Sequence, residues 1–198
     1  GIHALVAFSG KVKIKGDLYT IDAEELNGTN ITLDFASVGA TINIMFAAVK
    51  AKGKTIIRNA AREAEIVNIA TFLNNMGAKI TGAGTSIIRI EGVEHLHRTM
   101  IEVIPDRIEA ATYIILGAMI GDNLKIENII PEHIDALLSK LKDMNVKYEV
   151  DETSVTISKC DNVKSTNIRT EVYPGFVTDM GQPMSVLLTQ AHGVSLFE

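Results

Sequence analysis

"FLNNMGAKI" (72–80) and "KLKDMNVKY" (140–148) lie about 68 residues apart and carry one pattern twice. In each, a leucine on a helical face is followed by polar residues, a methionine, a break and a lysine-containing strand entry. Gly77 sits where a helix stop belongs. The helix exit and strand entry of the two stretches superpose.

Working outward, the flanks repeat as well. From Ser37, "SVGATINIMFAAVKA" reads as a buried helix and "KTIIRN" (54–59) as a strand. "EAEIVNIATFLNNMG" (63–77) sets Ile66, Ile69, Ala70 and Leu73 on one helical face. "AKIT", the turn Gly82-Ala83-Gly84 and "SIIRIEG" then read as a hairpin. In the second copy, "DRIEAATYIILGAMIG" (106–121) is a helix and "NLKIEN" (123–128) a strand. "PEHIDALLSKLKDMN" (131–145) is an amphipathic helix with Pro131 in its first turn. "VKYEV", a turn at Asp151-Glu152 and "SVTISKC" close it. The expected fold is α/β (α+β), built from β-α-β-α-β-β units in which one helix is more buried than the other.

The edges are out of phase with this unit. "KVKI", "LYTID" and "NITLDF" read as closing strands of an earlier copy. "YPGFVTDMGQPMSVLLTQAHGVSLFE" opens a further one. A repeat that starts and stops mid-unit is expected of a piece of a larger protein, incomplete at both ends.

Bulk properties narrow the class. The chain has 198 residues, 46% hydrophobic and 22% charged, with no tryptophan. That length can bury a core without staples. A net charge of −5 argues against a general nucleic-acid binder. Cys160 is the single cysteine, so no internal disulfide forms and a cytoplasmic home fits best. No stretch reaches the length of a membrane span, and the opening "GIHALVAFSGKVKIKG" lacks the order of a signal peptide.

Several residues could carry chemistry. Ser37, before an apolar helix, suits an N-cap, and the same helix start suits an anion. Asp179 follows a Pro-Gly turn at a helix entry, a place for a cap or for a general base. Asp106 and Arg107 in "PDRIE" read as a capped helix start with a surface ion pair, and Arg62, Glu63 and Glu65 as the acidic first turn of a helix. His95 and His97 have no partner at metal-ligand spacing, and Gly82 to Gly84 reads as a hairpin turn rather than a phosphate loop. Cys160 has no activating neighbour in the sequence.

"SVGATINIM", "NAAREAEIVNIATFLNNMGAKITGAGT", "IPDRIEAAT" and "YPGFVTDMGQP" together resemble the UDP-N-acetylglucosamine 1-carboxyvinyltransferases. These are enolpyruvyl transferases of peptidoglycan synthesis, and so of cell shape and division. The resemblance runs along essentially the whole chain. The more distant 5-enolpyruvylshikimate-3-phosphate synthases share the unit but not these motifs. The resemblance implies two globes of the inside-out α/β barrel type, each of three units. Residues 1–104 would be the second half of one globe and 105–198 the first part of the other.

It implies transfer of the enolpyruvyl group of phosphoenolpyruvate to the 3-hydroxyl of UDP-N-acetylglucosamine, with no metal and no organic cofactor. The diphosphate would meet Phe35, Ala36, Ser37, Val38 and Gly39. Phe35 departs from the lysine that some members place there. Asp179 would face the sugar hydroxyl and act as catalytic base. Asp106, Arg107, Arg62, Glu63 and Glu65 would lie near the cleft or hinge. The loop proton donor and the phosphoenolpyruvate-binding cations would fall outside this chain, so the chain alone is not expected to turn over. Expected partners are the two small substrates, with no nucleic acid and no membrane; exposed faces could also drive self-association. The alternatives are a non-catalytic nucleotide-sugar binding or interaction module, or a different enolpyruvyl transferase acting on shikimate 3-phosphate.

Overall fold

The computed structural model describes residues 7, 8 and 11–198. Residues 1–6, 9 and 10, part of the stretch read above for a signal sequence, lie outside them. The chain divides into two compact units, one up to Val103 and one from Ile104.

In the first unit, β1 (Lys11–Lys15) and β2 (Leu18–Asp22) form an antiparallel hairpin closed by Gly16 and Asp17. Next come β3 (Asn30–Thr32), α1 (Val38–Ala48), β4 (Lys54–Arg58), α2 (Ala64–Asn75), β5 (Lys79–Thr81) and β6 (Ile87–Glu91). The sheet order is β3-β4-β6-β5, with β3 parallel to β4 and the other pairs antiparallel. The expectation for "NITLDF" is therefore corrected. Its strand does not close an earlier unit but opens this one, pairing Asn30 with Ile56 and Thr32 with Arg58. A parallel partner requires a crossover, and α1 supplies it.

One sheet face is sealed. Ile57, Ile80, Ile88 and Ile90 alternate inward along their strands and meet Ile44 and Met45 of α1 and Ile66, Ala70 and Leu73 of α2. β6 then runs out over the end of α1. The Gly92 amide donates to the Gly53 carbonyl (2.9 Å) and the Val93 amide to the Val49 carbonyl (2.9 Å).

The second unit repeats the plan with α3 (Arg107–Ile120), β7 (Leu124–Glu127), a 3-10 turn (Pro131–Ile134), α4 (Asp135–Asp143), β8 (Tyr148–Val150) and β9 (Ser154–Ile157). The helix expected over 131–145 thus starts as a 3-10 turn and ends two residues early. Its sheet order is β7-β9-β8, all antiparallel. The core joins Ile114 and Ile115 of α3, Leu137 and Leu141 of α4, and Val155 and Ile157 of β9. A 3-10 turn (Thr178–Met180) and α5 (Gly181–Leu188) follow, adding Met180, Met184 and Leu187 to that core.

Local geometry explains why the two opening stretches superpose. Gly77 (φ 101°) and Asn145 (φ 66°) both take the left-handed conformation just past a helix. Behind each, an amide reaches back to close the helix: Ala78 to the Leu73 carbonyl (3.0 Å) and Val146 to the Leu141 carbonyl (2.9 Å). Glycine adopts that conformation freely and asparagine more readily than other side chains.

A second parallel crossover, made by isolated bridges rather than full strands, surrounds α5. Around α5, the Ser165 amide donates to the His192 carbonyl (3.2 Å), Ile168 to Leu196 (2.8 Å) and Glu198 to Ile168 (2.9 Å). The bridges Lys164–His192 and Ile168–Phe197 are parallel, as β3 is to β4 around α1. Residues 163–198 thus begin another copy of the unit, as the sequence leads one to expect.

Candidate functional site

In the first unit, the connections leaving β3 and β4 come together at one end of the sheet. The Leu33 amide donates to the Arg58 carbonyl (3.0 Å), and the Asn59 side chain donates back to the Leu33 carbonyl (2.9 Å). Deeper in, the buried Thr41 hydroxyl donates to the Ser37 carbonyl (2.8 Å) and accepts the Ala61 amide (3.0 Å). Thr41 therefore ties the start of α1 to the connection before α2. Nothing in the local sequence singles Thr41 out, although a threonine four residues after a cap is well placed to bond back to it.

Ser37 is an N-cap, with extended backbone (φ −87°, ψ 121°) and Oγ accepting the Ala40 amide at 3.3 Å. The cap takes one amide of the first turn. Gly39 is exposed, and a side chain built there would meet nothing within 4 Å. The first turn of α1 contains no acidic residue to compete with an anion. Phe35 is exposed beside this end; Ala36 and Val38 are half-buried. Capping and an open helix start thus coexist here.

Arg62, on the neighbouring connection, and Glu65, in the first turn of α2, are half-buried, whereas Glu63 is only 6% exposed. Glu63 occupies the N-cap position of α2 but makes no cap bond with its side chain. Its Oε2 meets no hydrogen-bond donor among the described residues.

In the second unit, Asp106 caps α3, its Oδ1 accepting the amides of Ile108 (2.8 Å) and Glu109 (3.2 Å). Arg107 corrects the expectation of a surface position. It is 8% exposed, and its guanidinium carbon lies 5.3 Å from the centre of the Tyr173 ring. That is cation–π distance. A cavity of about 280 Å³ opens beside Asp106, lined also by Glu109, Tyr113, Glu127 and Asn128. Larger hollows, of about 670 Å³ by β8 and β9 and about 410 Å³ by β4, β5 and β6, contain none of the candidate residues.

Tyr173 starts the segment that presents Asp179. A cis peptide joins it to Pro174, and the Glu171 amide donates to the Phe176 carbonyl at 2.8 Å. Phe176, Val177 and Met180 are buried, with Phe176 edge-on to Phe197 (ring centres 6.4 Å apart). Thr178 and Asp179, between these anchors, are exposed. Here the capping expectation fails. Asp179 lies inside the 3-10 turn, α5 is entered from Met180, and neither element has a side-chain cap bond. Its carboxylate is held toward solvent by its buried neighbours.

The remaining candidates fall to structural roles. The Gly82 to Gly84 stretch is a hairpin turn with both glycines at positive φ (83° and 85°). The His97 ring packs near Gly77, and the Cys160 thiol donates to the Asn145 carbonyl at 3.4 Å.

The family model of EPSP synthase (3-phosphoshikimate 1-carboxyvinyltransferase) matches residues 2–197. The chain belongs to that enolpyruvyl transferase family. Among its relatives, UDP-N-acetylglucosamine 1-carboxyvinyltransferase 2 of Listeria monocytogenes is 50% identical over 195 residues, covering 98% of this chain and 46% of the relative. A Streptococcus pneumoniae UDP-N-acetylglucosamine 1-carboxyvinyltransferase is 50% identical over 194 residues, covering 97% and 46%. This enolpyruvyl transferase chain therefore spans about half the length of the curated relatives it matches. In fold it is similar to the enolpyruvyl transferase NikO from Streptomyces tendae, with a TM-score of 0.81 at 21% identity over 99% of this chain and 51% of that one. EPSP synthase from Acinetobacter baumannii follows at a TM-score of 0.63 and 18% identity, covering 99% and 47%.

Proposed function

We propose that these residues belong to a transferase that moves the enolpyruvyl group of phosphoenolpyruvate to the 3-hydroxyl of UDP-N-acetylglucosamine, releasing phosphate, in peptidoglycan synthesis. The observation that carries this is 50% identity, along nearly the whole chain, to relatives named for that substrate. In this reading the open start of α1, from Phe35 to Gly39, seats the diphosphate through backbone amides and the helix dipole. Asp179 withdraws the proton of the sugar hydroxyl as its oxygen attacks phosphoenolpyruvate. Asp106 and Arg107, with Arg62, Glu63 and Glu65, line the surrounding cleft or hinge. The two units contribute to two different globes, and the enzyme works in the cytoplasm without metal or organic cofactor. No helix among the described residues is long and apolar enough to cross a membrane.

The natural full-length polypeptide is expected to release phosphate from phosphoenolpyruvate only when UDP-N-acetylglucosamine is present. Release that depends instead on shikimate 3-phosphate would replace this substrate with the other one.

A further expectation concerns the 198 residues on their own. Tyr113, Leu116 and Ile120 are exposed at helical spacing along α3, and Phe46 is exposed on α1. Apolar side chains in such a row favour burial against another surface. The isolated chain should self-associate as its concentration rises, and a monodisperse monomer in concentrated solution by light scattering would refute this.

A further inference from the structure

The outward face of the sheet β3-β4-β6-β5 carries cations that take no part in the proposed transfer. Ile57, Ile80, Ile88 and Ile90 point into the core with α1 and α2, so the residues alternating with them point the other way. Strand pairing sets Glu91 of β6 between Lys54 of β4 and Lys79 of β5, and Arg89 of β6 between Ile56 and Thr81. These six residues are among those lining the cavity of about 410 Å³, a size that takes a small molecule. Three cations thus share one carboxylate, in a chain whose net charge is −5. Glu91 is paired with Lys79 at 3.2 Å. Among the described residues, neither Lys54 nor Arg89 has an ion pair.

The second unit provides an internal comparison. Its cavity of about 670 Å³ lies at the same place in the repeat, against β8 and β9. Thr55 and Ile80 pair with Ile90 in the first unit, as Leu124 and Tyr148 pair with Ile157 in the second. Lys54, Arg89 and Glu91 therefore correspond to Asn123, Thr156 and Ser158, which line the second cavity and are all neutral. There the Ser158 hydroxyl accepts the Asn123 amide and donates to the Asn123 side chain, both at 3.0 Å. The repeat brings the hollow with it but does not require Lys54 or Arg89.

The spacing of the charges narrows what they suit. Lys54, Arg89 and Lys79 stand on three adjacent strands, whose backbones span about 10 Å, or two inter-strand spacings. An anion with several charged groups can meet more than one of these cations at once. The planar fork of Arg89 matches two oxygens of one phosphate, and the lysines add point charges to either side. We propose that this hollow binds a small anion bearing two or more phosphate groups. The site is separate from the start of α1, since it lies on the sheet face turned away from both helices.

The test is calorimetric titration of the natural full-length polypeptide with inorganic tripolyphosphate at low ionic strength, with and without excess UDP. Lys54→Gln combined with Arg89→Gln should weaken binding roughly 10-fold or more. Lys142→Gln combined with Lys147→Gln removes the same charge from the second unit's hollow and should leave binding nearly unchanged. All four side chains are exposed, so both pairs of changes should fold; should the first pair fail, Arg89→Gln alone makes the same comparison. Binding is expected to persist in excess UDP. Three results overturn the proposal: no binding by the unsubstituted polypeptide, equal weakening by the two pairs, or loss of binding when UDP is added. The second would show general attraction to positive charge, and the third would place the tripolyphosphate in the nucleotide's own seat.

Discussion

Asp179→Asn is expected to lower turnover of the full-length enzyme by roughly 10²–10⁴, the usual size of a general-base contribution. Asparagine keeps the shape and removes the base. The structure adds a second half to this expectation. Asp179 is exposed in the turn before α5 and caps neither that turn nor the helix. Both Asp179→Asn and Asp179→Ala should therefore leave stability within about 0.5 kcal/mol, as at surface sites without special contacts. A capping aspartate would instead cost about 1 kcal/mol when changed to alanine. Melting temperature and kcat measured together on each variant decide the matter. Turnover that holds in Asp179→Asn removes Asp179 from the chemistry. A sharp loss of stability in Asp179→Ala shows that it supports the fold.

Gly92→Ala should destabilise the first unit by about 3 kcal/mol or more, at the upper end of overpacking effects. Gly92 follows β6, where its strand crosses the turn after α1. A Cβ at this position would overlap the Ala51 carbonyl oxygen and crowd the Ala51 carbonyl carbon at 2.8 Å. The obstacle is backbone, not the end of a flexible side chain, so it cannot rotate away. Relief would require separating β6 from α1 and breaking the Gly92–Gly53 and Val93–Val49 bonds. Gly39→Ala is the control, since a Cβ there meets nothing within 4 Å. Urea unfolding of the two variants should differ widely in midpoint. Similar midpoints would mean that the end of α1 yields more easily than its contacts indicate.

The repeat and most of its elements were legible because their signals are local. Apolar spacing marked α2 and α4, and the Gly77 stop has its counterpart at Asn145. β3 reads as a closing strand because it has three residues and its partner, β4, lies beyond a whole helix. No short-range pattern distinguishes such a strand from the closing strand of a preceding unit. In the site, the sequence pointed to Ser37 as a cap, but not to Thr41 as the link between two connections. The burial of Glu63 and Arg107 also escaped it. Both are charged residues in motifs that read as helix surface, and only tertiary packing turns them inward. Asp179 shows the reverse: its neighbours look like a helix entry, yet it lies inside an intervening 3-10 turn and its carboxylate caps neither that turn nor α5.

The crossover around α1 and the one around α5 put Ser37 and Asp179 in corresponding places, each between the first extended segment of a parallel crossover and its helix. The scaffold thus offers the same socket more than once. One copy holds Ser-Val-Gly and opens backbone amides; the other holds Thr-Asp-Met and presents a carboxylate. Duplication of an ancestral unit would leave such sockets chemically interchangeable at first, free to diverge without disturbing the sheets beneath. For an engineer, these short stretches are the natural places to write a new specificity. The Gly77 and Asn145 stops mark the framework to leave alone.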